Sequence, residues 1–232
     1  MHPELIQRFP RLGALYQRSK TTGPDNYFAI YDKPTLLEST EKQFIAWEAL
    51  LQALDTDSFE TFLRKASGRV AARSKSPDRG WSQLVECFNE VRGYQYIIKL
   101  GYPNAKLLDE ESLPLPDIEA SASSNGKCIM EVKTIQESDE ELQMRGQIQS
   151  AESGLPQRLK RAIRRKYSQA MDQIAGHPWA RNARKICYLI ITLDLATVLA
   201  EENKDFLETF IKELQRDDVE IHYVSQYWPP DS

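Results

Sequence analysis

Apolar and polar positions alternate along this chain in two periods, and the switch between them divides it into helical and strand-like stretches. Residues 1–34 mix proline, glycine and aromatics and predict an irregular lead-in with a short helix near Pro3–Phe9. Phe44, Trp47, Leu50, Leu51 and Leu54 recur at helical spacing and predict a helix over Glu38–Leu54, capped by Ser39 or Thr40. A second helix is expected over Phe59–Ala72, started by Asp57 or Ser58, with Phe62, Leu63, Ala66 and Val70 on one face. The segment 74–79, SKSPDR, carries the turn chemistry of an internal boundary. A long helix then runs from Gly80 to about Leu100 and stops at Gly101.

Beyond Gly101 the period becomes two. Short strands are expected at Asn104–Leu108, Leu115–Ala120 and Lys127–Thr134, the last two forming a hairpin about a Ser/Asn/Gly turn. Residues 137–156 are polar and read as a mobile loop. Gln157–Ala175 returns to helical spacing through Leu159, Ile163, Tyr167, Ala170 and Ile174. Lys185–Leu193 is a continuous apolar run, expected of a strand buried on both faces. An amphipathic helix over Asn203–Gln215 and a last strand over Val219–Val224 follow, before a Trp228-Pro229-Pro230 tail. The order predicts an α/β fold with a central mixed sheet flanked by helices: an antiparallel meander first, then strands joined through helices. Residues 1–76 are read as an N-terminal helical segment and 77–232 as the second domain.

Composition adds little and charge somewhat more. The 232 residues are 41% hydrophobic and 28% charged, with a net charge of −4, so no global basic field announces nucleic acid. Three cysteines without framework spacing point to reduced, buried thiols and a cytoplasmic setting. Neither a signal peptide nor a membrane span is expected. The histidines, His2, His177 and His222, lack metal-ligand spacing, which argues against zinc.

The chemistry concentrates in the central hairpin. Alternation puts Glu131 and Lys133 on one face of their strand, and Asp117 and Glu119 together on theirs. Such charges on apolar strands are costly unless paired or metal-bound. For Asp117 to join Glu131 and Lys133, the loop must have an odd length. The expected register sets Glu119 opposite Glu131 and Asp117 opposite Lys133 around Ser124-Asn125-Gly126; a two-residue turn would put Asp117 on the wrong face.

Pro116-Asp117, followed after a turn by Glu131-Val132-Lys133, resembles the signature of the PD-(D/E)XK nuclease superfamily. The resemblance spans about Gly80–Val224 and implies a restriction-endonuclease-like core. It also implies a metal-dependent nuclease hydrolysing DNA, with an endonuclease expected. Asp117 and Glu131 would hold Mg²⁺, or Mn²⁺ in its place, with the Val132 carbonyl as a third oxygen. Lys133 would orient or deprotonate the attacking water or stabilise the charge that develops on the phosphate. Glu90, on the preceding helix, is a further candidate carboxylate, with Glu86 as the fallback; Glu119 is given a peripheral role.

The run Arg158–Lys166 holds six basic residues in nine positions, suited to a polyanion. Lys166, Gln169 and Gln173 line one edge of that helix's apolar stripe and are candidate substrate-binding residues. A homodimer or a protein partner is the expected source of further basic surface. Two alternatives remain: a non-cleaving nucleic-acid-binding or assembly module on the same fold, and a chance motif in a structural protein.

Overall fold

Helix α1 (Pro3–Arg8) and helix α2 (Pro10–Arg18) each start on a proline, whose fixed φ suits the first helical turn. The lead-in is therefore more regular than the mixed composition suggests. Their close approach depends on Gly13: a Cβ there would sit 2.7 Å from Ile6 Cγ2. In the computed structural model the described residues are 1–19, 26–70, 81–109, 115–124, 126–135, 157–193, 201–215 and 218–227. The segments 74–79 and 137–156 and the 228–230 tail lie outside them.

The chain divides into two compact units, Met1–Asp109 and Glu110–Asp231. In the first, α3 (Glu38–Gln52), α4 (Thr56–Ser67) and α5 (Ser82–Lys99) join α1 and α2. Helix α5 falls in this unit, although the sequence groups it with residues 77–232. Its Phe88 ring stacks on Trp47 of α3, centroids 4.1 Å apart and planes 8° from parallel. Tyr27, Phe44 and Phe62 pack on the same two rings. Strand β1 (Asn104–Leu107) lies against α4, where the Leu107 amide donates to Ser58 Oγ at 3.2 Å.

Helix ends follow local chemistry, not always at the expected residue. Helix α3 starts at Glu38 after Leu37 with no side-chain cap, so Ser39 and Thr40 lie inside it. Asp55, not Asp57 or Ser58, caps α4 by accepting the Ser58 amide at 2.7 Å. It also accepts the Tyr94 hydroxyl at 3.1 Å, tying α4 to α5. Helix α5 ends as expected: Gly101 has φ +94°, and the Gly101 and Tyr102 amides donate back to the Ile98 and Ile97 carbonyls. That pairing satisfies two orphan carbonyls, and the positive φ favours glycine.

Glu48 does what no local residue does for α2. Only 5% exposed on α3, its two carboxylate oxygens accept the Arg11 and Leu12 amides at 3.0 Å each. A negative charge at a helix N-terminus is favourable, and two otherwise unpaired donors are satisfied. Glu48→Ala is expected to cost about 2–3 kcal/mol, because buried donors lose a charged acceptor. Urea unfolding followed by circular dichroism checks this, with Glu48→Gln expected to lose less.

The second unit is built on strands β2 (Ile118–Ser121), β3 (Lys127–Ile135), β4 (Arg184–Leu193) and β5 (Glu220–Tyr227). Strands β2 and β3 pair antiparallel, whereas β3–β4 and β4–β5 pair parallel. The sheet is thus mixed, in the order expected. Helix α6 (Gln157–Gly176) joins β3 to β4, and α7 (Glu201–Leu214) joins β4 to β5. One sheet face, with Ile129, Ile135, Cys187, Leu189, Ile191 and Ile221, buries against Ile163, Tyr167, Ala170 and Ile174 of α6 and Leu207, Phe210 and Ile211 of α7. On the other face Ile118, Met130, Ile186 and Ile190 are equally buried, which explains the unbroken apolar run in β4.

Candidate active site

The β2–β3 ladder sets Ile118 opposite Met130, Glu119 opposite Ile129 and Ser121 opposite Lys127. The expected register, with Glu119 opposite Glu131, is therefore slipped by two residues. The paired ends enclose five residues, 122–126, and the Ala122 amide donates to the Gly126 carbonyl at 2.8 Å. Asn125 lies outside the described residues. A two-residue slip preserves the face of every side chain where a one-residue slip would invert it. The odd loop length holds, and Asp117 stays on the side of Glu131 and Lys133.

Asp117 is 5% exposed and Glu131 1%. Each carboxylate binds the backbone beside the other acid. Glu131 Oε2 accepts the Asp117 amide at 3.0 Å, and Asp117 Oδ2 accepts the Val132 amide at 2.8 Å. These reciprocal bonds lock the entry to β2 against the middle of β3. Lys133 Nζ donates to Glu131 Oε1 and, at 2.6 Å, to Gln173 Oε1. The Gln173 amide group donates in turn to the Leu115 carbonyl at 3.1 Å. Gln173 thus bridges the lysine to the residue just before Pro116-Asp117. Burial alone would lower the Lys133 pKa, but the charge and hydrogen bond of Glu131 and the charge of Asp117 outweigh it and hold it above its ordinary value. Lys133 therefore sits in this site as a cation.

The other sequence candidates have contacts of their own. Glu90 forms an ion pair of 2.6 Å with Lys65 inside the first unit. Glu119 faces His177 at 3.4 Å, not Lys133. On α6, Gln173 reaches the cluster, Gln169 is exposed and Lys166 is half-buried. Arg161, Arg164 and Arg165 are exposed, and Lys160 and Arg164 rest over the Phe210 ring at 5.9 and 5.1 Å. Those two cations cover apolar surface as well as carrying charge. Cys187 of β4 is opposite Glu131; burial, then the neighbouring carboxylate, pushes its thiol pKa well up and removes it as a nucleophile.

His177 was missed by the motif reading. It is buried, its Nδ1 accepts the Trp179 amide at 3.1 Å, and Nε2 faces Glu119. The available signal was its spacing: it follows Gln173 by four residues, directly after the last residue of α6. Burial lowers its pKa more than Glu119 raises it. With a folded pKa below the ordinary 6.5, the unfolded chain binds the proton more readily. The stabilising contribution is complete above pH 6.5 and is lost as pH falls through the folded value. Urea midpoints at pH 7.5 and 5.5 should therefore diverge more for the native protein than for His177→Gln.

The donor set was weighed against the metal that the motif implies. Among the described residues, no three or more His, Cys, Asp or Glu side chains gather into a metal-binding group. Mg²⁺ ordinarily takes one or two carboxylates and keeps several waters. The two carboxylates of Asp117 and Glu131, all-oxygen and free of sulfur or imidazole, suit that ion and not Zn²⁺. No protein-family model matches the chain, and no curated protein matches it. Among the described residues, no helix is long and apolar enough to cross a membrane.

Proposed function

We propose that the protein is a metal-dependent nuclease of the PD-(D/E)XK type, with a restriction-endonuclease-like core, that hydrolyses DNA phosphodiester bonds. The observation that carries this reading is the convergence of Asp117, Glu131 and Lys133 on one side of the β2–β3 hairpin, joined there by Gln173 of α6. Asp117 and Glu131 would hold Mg²⁺, with the Val132 carbonyl as a candidate third oxygen. Bound there, the ion would supply Lewis-acid neutralisation of the phosphate and a more acidic water.

The protein's own groups account for the rest. Hydrolysis forms a bond from a water oxygen to phosphorus and breaks the bond to the leaving oxygen, while negative charge builds on the phosphoryl oxygens. Lys133, held charged between Glu131 and Gln173, acts as a fixed donor to that charge. Preorganised donors of this kind contribute most where water is excluded. Arg161 and Arg165, exposed on α6, would meet the phosphate backbone, giving salt-dependent affinity without sequence preference.

A second reading has its own support. Because both carboxylates also bind backbone amides, they suit a structural clasp in a non-cleaving nucleic-acid-binding or assembly module. Calorimetric titration with MgCl₂ separates the two. Binding that is lost in Glu131→Gln supports the nuclease. Equal heats in both proteins, with and without a DNA oligonucleotide, favour the clasp.

A further inference from the structure

Helix α6 and His177, the residue directly after its end, touch the β2–β3 hairpin through polar side chains four residues apart. Gln173 accepts from Lys133 and donates to the Leu115 carbonyl. His177 meets Glu119, which sits two residues beyond Asp117 on the same face of β2. Both ring nitrogens of His177 are engaged. Nδ1 accepts the Trp179 amide at 3.1 Å, which places the proton of the neutral ring on Nε2, with Glu119 Oε2 3.4 Å away. The ring therefore has no nitrogen left to take a proton from a substrate or a water. The Trp179 ring packs edge-on against the imidazole at 5.4 Å, and Lys127 of β3 lies over that indole at 4.7 Å. Two strands of the hairpin thus hold the end of α6.

We infer that Glu119 and His177 form a positioning pair: they tie the chain directly after α6 to β2 and so hold Gln173, four residues earlier in α6, against Lys133. The inference rests on the nuclease reading of the Lys133 site. The pair acts through geometry, so its removal shifts a donor without deleting it. A misplacement of about 1 Å at a reacting centre is enough to cost on the order of 100-fold in rate.

Two substitutions at each position test the pair. In His177→Gln, the side-chain NH₂ takes the place of Nε2–H and still reaches Glu119. In His177→Asn, the amide oxygen takes the place of Nδ1, so the Trp179 bond survives and the Glu119 contact does not. Glu119→Gln keeps an acceptor and Glu119→Ala removes it at a partly exposed position, where folding is least at risk. The expected result is a kcat lower by on the order of 10- to 100-fold in His177→Asn and Glu119→Ala, with KM unchanged. His177→Gln and Glu119→Gln should cut as the native protein does. Deuterium exchange of the 173–177 amides should speed up in the same two impaired variants alone. Equal kcat and equal exchange across all four overturn the pair, as does a loss confined to KM. Should the native protein cut nothing, the nuclease reading fails, and exchange alone then decides: a split between the two variant classes supports the seating of α6, and none refutes it.

Discussion

Lys133→Met is expected to lower metal-dependent cleavage of DNA by about 10²–10³-fold, the usual cost of deleting one preorganised donor to a developing negative charge. The same substitution should also destabilise the fold. Glu131 is 1% exposed and Lys133 15% by side chain, so removing the ammonium leaves a carboxylate buried beside Asp117. Breaking such a pair from one side costs about 3 kcal/mol or more. Removing both charges is gentler, because no unpaired ion stays behind. Glu131→Met/Lys133→Met should therefore recover part of that stability, although it also removes the acceptor of the Asp117 amide. It should recover none of the activity. Plasmid cleavage and urea unfolding of the single and double variants check both statements. A double variant that regains cleavage would remove the pair from the chemistry altogether.

Trp47→Ala carries the second large effect, and it lies wholly in the first unit. The indole is 1% exposed, stacked on Phe88 and flanked by Phe44 and Tyr27. Truncating a buried tryptophan costs about 3–5 kcal/mol through lost burial and the cavity left behind. Ring-on-ring geometry adds about 0.5–1.5 kcal/mol beyond area. Against a typical total of about 5–15 kcal/mol, this is enough to lower the melting temperature of the unit markedly. Far-ultraviolet circular dichroism against temperature checks it, and Trp47→Phe, which keeps a ring on Phe88, should lose less.

Periodicity carried most of the fold. Helices α3 to α7 and strands β1 to β5 all fall within a few residues of where apolar spacing puts them, because burial on one face demands that spacing. The face shared by Asp117, Glu131 and Lys133 was legible for the same reason: a period of two leaves only the parity of the loop to decide. The register itself was not. Loops of three and five residues keep the same parity, and nothing local distinguishes Glu119 opposite Glu131 from Glu119 opposite Ile129.

What stayed hidden depends on partners distant in sequence. Glu48 caps a helix that begins 38 residues earlier, at Pro10, so no capping pattern near α2 announces it. The grouping of α5 with the first unit rests on the Trp47–Phe88 stack, a contact between helices that spacing within either helix does not reveal. His177 lacks metal-ligand spacing, and its role depends on Glu119 and Trp179 closing around it. Gln173, a candidate substrate-binding residue by its place on the helix, also accepts from Lys133, a contact between distant residues that spacing does not reveal.

The most direct measurement is conversion of supercoiled plasmid DNA by the purified protein in MgCl₂, in MgCl₂ with excess EDTA, and by Asp117→Asn in MgCl₂. Nicked or linear product with the native protein and Mg²⁺, absent in the other two reactions, is the predicted result. Intact plasmid in every reaction, including one with Mn²⁺, or equal cutting in all three, would contradict a metal-dependent site built on Asp117, Glu131 and Lys133.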